Sequence, residues 1–279
     1  MEICAHTLVK NEERYIWYTL MSVIDHLDKI MVWDTGSTDK TMQIVEGIRK
    51  KYPGKIELEK YGDVTAEKYT VLRQKMLDRT KADWFMILDG DEVWWNDSIK
   101  KVTEFIKQKG AKYDTIVTPY YNIIGDIYHH QERSAGMYEI GGKKGHLNIR
   151  FINRKIPGLY TTRPHGQHGY FDDRDILIQD RDKKRRIYLN APYAHFTNVI
   201  RSTNLKRDLS VIKRKGKLKY EIGEKNPLDF HYPEVFFLNR PEGVVNVWKK
   251  MNRKFLIKSM VSTIPRKLKR RIYKGKSGY

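Results

Sequence analysis

The sequence predicts an α/β fold, a mostly parallel sheet flanked by helices, and three observations lead there. Short apolar runs alternate with segments of helical period, turn residues punctuate the units, and the fourth apolar run ends abruptly in acids. Residues 2–9 read as a first strand, after which Ile16, Leu20, Val23, Ile24 and Leu27 recur at helical spacing. Residues 29–34 form a second strand. Ser37 or Thr38 is placed to cap the next helix, whose Met42, Val45 and Ile48 share a face before Pro53-Gly54. Residues 55–60 make a short third strand, 65–80 a helix, and 84–88 the fourth strand. Sheets of this kind bind ligands beyond the carboxyl ends of their strands.

At that end of the fourth strand stand Asp89, Gly90, Asp91 and Glu92. Like charges so close repel one another, and a divalent cation resolves the conflict. Hard oxygen ligands suit Mg2+ or Mn2+, ions that hold the phosphates of nucleotide substrates. A solvated Asp-Gly turn is the plain alternative. An Asp-x-Asp phosphatase is another, although such enzymes carry the motif on the first core strand, before any strand–helix unit. Asp34, at the end of the second strand, and the loop Lys10-Asn11-Glu12-Glu13 open onto the same crevice. A carboxylate there can accept hydrogen bonds from a base or a ribose. The plain alternative for Asp34 and Asp39 is to cap the following helix; it weighs equally at Asp39, while a ligand-binding use is preferred at Asp34.

The 279 residues, 40% apolar, suffice for a sizeable core. The single Cys4 excludes an intramolecular disulfide framework and a cysteine zinc site, and is compatible with a reducing compartment. No apolar run reaches membrane-spanning length, and Met1-Glu2-Ile3-Cys4 lacks the form of a signal peptide, so a cytoplasmic protein is expected. The net charge of +20 is concentrated late: from Arg240 onward there are 13 Lys and Arg against one acid, Glu242. Val247, Trp248, Met251, Phe255, Leu256, Met260 and Val261 recur there at helical spacing among basic residues, and Pro265 precedes a further basic run. A basic amphipathic helix of this kind binds anionic membrane surfaces. Packing on the main domain, or contact with nucleic acid phosphates, are the alternatives, and no specific nucleic acid signature is present. The expected organisation is a domain over 1–215, with a nucleotide-sugar half to 110 and an acceptor half to 215, followed by a basic extension over 216–279 that anchors the protein peripherally on the inner face of a membrane.

Four motifs in order carry a family resemblance: Leu8-Val9-Lys10-Asn11-Glu12-Glu13, Trp33-Asp34-Thr35-Gly36-Ser37-Thr38-Asp39-Lys40-Thr41, Arg73, and Leu88-Asp89-Gly90-Asp91-Glu92. They resemble the pattern of family 2 glycosyltransferases with the GT-A (Rossmann-like) fold, closest to the small bacterial-type subgroup acting in glycan or lipopolysaccharide assembly. The resemblance implies an inverting, metal-dependent transfer from a nucleotide-diphosphate sugar, a UDP-sugar foremost, to a hydroxyl of a glycan or lipid-linked acceptor. It further implies that Asp34 reads the base, that Thr7, Leu8 and Val9 wall the base pocket with Asn11, Glu12, Gly36 and Gly90 nearby, and that Arg73 reaches the donor. Asp91 binds the metal directly, and Asp89 contacts the ribose, or the metal through water.

Later in the chain, residues 148–154 resemble the family's Arg-Leu-Phe strand, and Tyr193-Ala194-His195-Phe196-Thr197 resembles its late histidine, so His195 becomes a third metal ligand favouring Mn2+. The family's Val-His-Glu segment corresponds to Arg163-Pro164-His165-Gly166-Gln167-His168, in which the Glu is absent. The catalytic base is then sought among His165, His168, Asp172 and Asp173, His165 first. Residues 126–145, with Tyr128, His129 and His130, read as a mobile lid, and 201–215 as a polar helix. The rival from another class is a non-catalytic basic surface-binding protein on the same scaffold.

Overall fold

A computed structural model of the chain describes residues 1–163 and 169–272. The first half alternates strands β1 (Ile3–Val9), β2 (Lys29–Asp34), β3 (Ile56–Lys60) and β4 (Trp84–Ile87) with helices α1 (Ile16–Met21), α2 (Thr41–Lys51) and α3 (Ala66–Arg79). β5 (Glu92–Trp94) and α4 (Asn96–Lys109) follow. The second half holds β6 (Thr115–Ile124), β7 (Asp126–His130), the hairpin β8 (Tyr138–Ile140) and β9 (Lys143–Gly145), and β10 (Leu147–Asn153). Beyond these lie β11 (Tyr160–Thr162), β12 (Gly169–Phe171), β13 (Arg186–Tyr188), β14 (Tyr193–His195), α5 (Leu205–Ser210), α6 (Arg214–Lys217), β15 (Glu224–Lys225) and α7 (Arg253–Ile272).

The sheet runs β15-β7-β6-β10-β4-β1-β2-β3. β1 pairs in parallel with both β2 and β4, whereas β10 is antiparallel to β4 and β6. The chain moves from β1 outward to β3 and then returns to the other side of β1, which makes the gap between β1 and β4 the topological switch point. β1 is buried along its whole length, as befits a central strand covered on both faces. Ile16, Leu20, Val23, Ile24 and Leu27 all enter the main core, although only the first turns of that stretch are helical. Thr65 caps α3 by accepting the Lys68 N–H at 3.3 Å.

Several local expectations differ from the structure. Neither Ser37 nor Thr38 caps α2; Asp39 accepts the Thr41 N–H at 3.0 Å, and Ser37 Oγ instead accepts the Asn11 N–H at 2.9 Å. Residues 201–215 form no continuous polar helix, because Lys213 adopts a left-handed φ of 62° between α5 and α6. The composition change at 215 marks no break in packing, since Val235, Phe236, Val244 and Val247 belong to the main core. The C-terminal helix starts at Arg253, after Val247 and Trp248 have been drawn against Phe236. Within 126–145, only the second half forms a separate hairpin. Its turn residues Gly141 and Gly142 have φ of 61° and 78°, the left-handed pair that a tight hairpin turn requires.

One buried group ties the core to pH. His6 stacks on Phe85 at 4.6 Å, with Nε2 2.5 Å from Thr80 Oγ1. Burial, reinforced by Arg73 and Arg154, lowers its pKa from 6.5 to about 3. Below pH 6.5 the unfolded chain takes up a proton that the folded chain refuses, so stability is lost as pH falls through that window. The slope amounts to about 1.4 kcal/mol per pH unit. His6→Gln is expected to flatten this limb in urea titrations between pH 6.5 and 4.5; an unaltered slope would assign it to other groups.

Candidate functional site

A cavity of about 980 Å3 opens at the switch point, lined on one side by Leu8, Val9, Glu12, Arg73, Asp89, Gly90 and Asp91 and on the other by Arg150, His195 and Arg201. β4 ends at Ile87 and delivers the acids there, while β14 brings His195 opposite Glu92 by antiparallel pairing with β5. Gly90 permits the close approach of the loop after β1: a Cβ at this position would stand 2.9 Å from Glu12 Cγ.

The acids are enmeshed with guanidiniums, and all but the partly exposed Asp89 are buried. Arg150 Nη2 donates to Asp89 Oδ2 at 3.1 Å and also to Glu92 Oε1, while its Nε donates to the Tyr193 hydroxyl at 3.0 Å. Arg201 Nη1 donates to Glu12 Oε1 at 3.0 Å and lies 3.0 Å from Asp91 Oδ2. Arg214 bonds Glu12 and lies 3.2 Å from Asp208; Arg73 stands 3.7 Å from Asp89 Oδ1. Five carboxylates (Glu12, Asp89, Asp91, Glu92, Asp208) thus face four guanidiniums (Arg73, Arg150, Arg201, Arg214). Burial acts to raise the carboxyls of Asp89 and Asp91, yet Arg150 and Arg73 for the first, and Arg201 and His195 for the second, hold both below the usual range. Glu12 goes the other way: burial outweighs Arg201 and Arg214 and pushes it up to about 7. Burial lowers His195, against the pull of Asp91.

The residues present fit a divalent cation. Ligand atoms of Asp89, Glu92 and His195 lie within 4.8 Å of one another, and His195 Nε2 is 3.5 Å from Asp91 Oδ2. Asp91 is only 1% exposed, yet neither of its oxygens receives a directed hydrogen bond among the described residues, and His195 Nδ1 is likewise unpartnered. Buried acceptors are rarely left so. Glu92, expected from sequence only as part of the acidic run, joins the candidate ligand group. Arg150, Arg201 and Arg214 had no assigned role in that reading; two of them lie in or beside the segment read as a solvated helix, where an Arg offers no signal of burial.

Other sequence candidates fall off the cavity wall. The Asp34 carboxylate accepts the N–H groups of Gly36 and Ser37 at 3.1 Å, so it closes the loop after β2, and Thr35 lines the cavity in its place. Thr7 is fully buried inside β1. Asn11, at φ 55°, spends its side chain on the Thr38 N–H and the Arg207 carbonyl. Gly36, at φ 93°, is the turn that Asp34 holds. Asp172 is a buried turn acid: it accepts the Arg174 and Ile176 N–H groups at 3.0 Å, pairs with Arg181, and does not line the cavity. Asp173 is exposed and packs beside Gly158. His165 and His168 lie outside the described residues. The hairpin β8–β9 supplies Tyr138, Glu139 and Ile140 to the cavity wall, and the strands behind it supply Tyr120, Asn122 and Asn148.

Fold and site together define an α/β protein with an acid-lined, basic-rimmed cavity at its switch point. The chain belongs to glycosyl transferase family 2, whose model matches residues 4–174. It is 27% identical over 185 residues to the SPbeta prophage-derived glycosyltransferase SunS of Bacillus subtilis (strain 168), covering 63% of this chain and 42% of SunS. It is 29% identical over 119 residues to the dTDP-rhamnosyl transferase RfbG of Shigella flexneri, covering 40% of each. The chain therefore spans less than half the length of these relatives. Among solved structures it resembles S. aureus TarS 1-349 with 18% identity and a TM-score of 0.49, covering 71% of this chain and 61% of that one. Glucosyl-3-phosphoglycerate synthase from Mycobacterium tuberculosis, solved with Mn2+, UDP and phosphoglyceric acid, gives 14% identity and a TM-score of 0.44, covering 77% of each.

Proposed function

We propose that the chain is an inverting glycosyltransferase that moves a sugar from a UDP-sugar, with Mn2+, to a hydroxyl of a glycan or lipid-linked acceptor. The observation that carries this reading is the gathering of Asp89, Asp91, Glu92 and His195 at the switch point, where the buried Asp91 carboxylate has ion-pair contacts to Arg201 and His195 but no directed hydrogen bond among the described residues. Asp89, Asp91 and His195, joined by Glu92, would hold the ion, which when bound supplies charge stabilisation to a departing diphosphate. Arg73 and Arg201 face the cavity with buried N–H groups unpartnered among the described residues, donors suited to phosphate oxygens. In the transfer, the acceptor oxygen forms a bond to the anomeric carbon as that carbon's bond to the β-phosphate oxygen breaks. The nucleoside diphosphate leaves with the electron pair, and the hydroxyl proton passes to a base. His165 is our choice for that base, since Asp172 is buried in its turn and does not line the cavity. Calorimetric titration with UDP in Mn2+ is expected to show binding that chelation abolishes. Absence of binding by UDP and other nucleoside diphosphates, with no transfer or hydrolysis across a donor panel, would leave the non-catalytic surface-binding reading in its place.

We also place the protein peripherally on an anionic membrane. No helix among the described residues is long and apolar enough to cross one. The support comes from the orientation of α7. Ser259, Thr263 and Arg270 turn inward, while Ile257, Met260, Val261, Ile264 and Leu268, all at least half exposed, share the outer face. A helix that docks by its polar side and leaves its apolar side to solvent suits a bilayer interface flanked by Lys254, Lys258 and Lys269. Replacing Ile257, Met260, Val261 and Ile264 by Ser removes on the order of 1 kcal/mol each of burial. Sedimentation with phosphatidylserine vesicles is expected to weaken by well over tenfold; undiminished sedimentation would remove the anchor.

A further inference from the structure

His195 has a neighbour on each side in the sheet. β14 lies between β5 and β6, and His195 is paired with Glu92 in one direction and with Asn122 in the other. Paired residues project to the same face with their Cβ atoms about 5 Å apart, so the three side chains form one row. Within it, His195 and Asn122 line the cavity. The histidine's Nε2 looks toward Asp91 and Glu92, at 3.5 and 3.8 Å. For that nitrogen to offer a lone pair to a cation, the ring proton must sit on Nδ1. Nδ1 is buried and has no hydrogen-bond partner among the described residues, and neither has the buried Oδ1 of Asn122. A donor and an acceptor thus stand orphaned on adjacent residues, where buried polar groups are seldom left unpaired.

The direction of the Asn122 amide is dictated from farther along the wall. The Glu221 carboxylate, paired with Arg270 of α7, only accepts, so Gln131 turns its NH2 to it at 2.9 Å. Gln131 Oε1 then accepts from Asn122 Nδ2 at 2.7 Å and from Asn198 Nδ2 at 3.3 Å. What Asn122 has left is its carbonyl oxygen, beside a histidine that has a proton to donate.

We propose that Asn122 is a positioning residue for His195. Its Oδ1 takes the Nδ1–H after a turn about the soft χ2 of the imidazole, which fixes the tautomer and keeps the Nε2 lone pair turned toward Asp91 and Glu92. Removing the group that holds the second nitrogen of a ligating histidine costs about 10- to 100-fold in metal affinity. The inference rests on His195 as a ligand in the transfer site, and the two can fail separately.

The tautomer is measured first, by heteronuclear NMR of the full chain labelled at its histidine nitrogens, before any metal is added. The His195 signals are identified by their loss in His195→Gln. In wild type the proton is expected on Nδ1; a proton on Nε2 overturns the proposal whatever any variant of Asn122 does. Asn122→Leu keeps the bulk and removes the hydrogen-bonding oxygen. It is expected to melt cooperatively, to shift His195 toward the Nε2–H form, and to bind Mn2+ at least tenfold more weakly by electron paramagnetic resonance. Asn122→Asp, whose acid form donates to Gln131 and keeps a carbonyl toward His195, is expected to restore both readings. A tautomer and an affinity unmoved by Asn122→Leu overturn the assignment, and so does an equal loss in Asn122→Asp, which would leave packing as the cause. An Asn122-dependent tautomer in a protein that binds neither Mn2+ nor UDP would keep the contact and sink the transfer reading alone.

Discussion

Asp91→Asn is expected to lower sugar transfer by about three orders of magnitude, roughly 4 kcal/mol of transition-state stabilisation, while the fold survives. The substitution is nearly isosteric, but the amide cannot supply the charged oxygen that a hard cation takes, and its NH2 would face Arg201 and His195. The measurement pairs turnover with direct Mn2+ binding by electron paramagnetic resonance. Full turnover together with wild-type metal affinity would exclude Asp91 as a ligand. Loss of turnover with metal affinity intact would move its role to the orientation of Arg201.

Arg150→Met should produce the largest loss of stability. Its guanidinium serves Glu92, Asp89 and the Tyr193 hydroxyl, and Glu92 is wholly inaccessible to solvent. Removing one partner of such a pair strands the other charge in low dielectric, at about 3–5 kcal/mol. Burial already raises the Glu92 carboxyl well above its ordinary value, and Arg150 is the chief opposing influence. Urea denaturation of Arg150→Met, Glu92→Gln and the double variant gives a cycle in which the double is expected to be more stable than Arg150→Met. A single-variant loss below 1 kcal/mol would mean that Glu92 finds water or a proton cheaply.

The donor end of this molecule was legible in the sequence because it is built from local pattern. An apolar strand ending in Asp89-Gly90-Asp91 states its own position, and the order of β1 to β4 follows from alternating periods. What was not legible depends on contacts across large sequence distances. Asp34 looks like a ligand-reading acid until the N–H groups of Gly36 and Ser37 are seen on its carboxylate. Arg201 and Arg214 look like solvated charges in a polar helix until Glu12, nearly 190 or more residues earlier, is found beneath them. The tail was read as a stripe from Val247, but apolar period alone does not say which residues the core will claim. Val247 and Trp248 went inward, and the helix that remained faces its apolar residues out.

The inward side of that helix has a bearing on how its role can be dissected. Arg270 grips Glu221 at 2.5 and 2.9 Å and reaches Glu132 at 3.1 Å, and Glu221 in turn holds Gln131, whose carbonyl oxygen accepts from Asn122 and Asn198 on the cavity wall. Cutting the chain before Arg253 therefore does more than unmoor it: a carboxylate with 1% of its surface exposed is left without its cation, and the base of the hairpin slackens. Such a truncated protein would lose catalysis in free solution, with no vesicle present, and a tether and a keystone would be mistaken for one another.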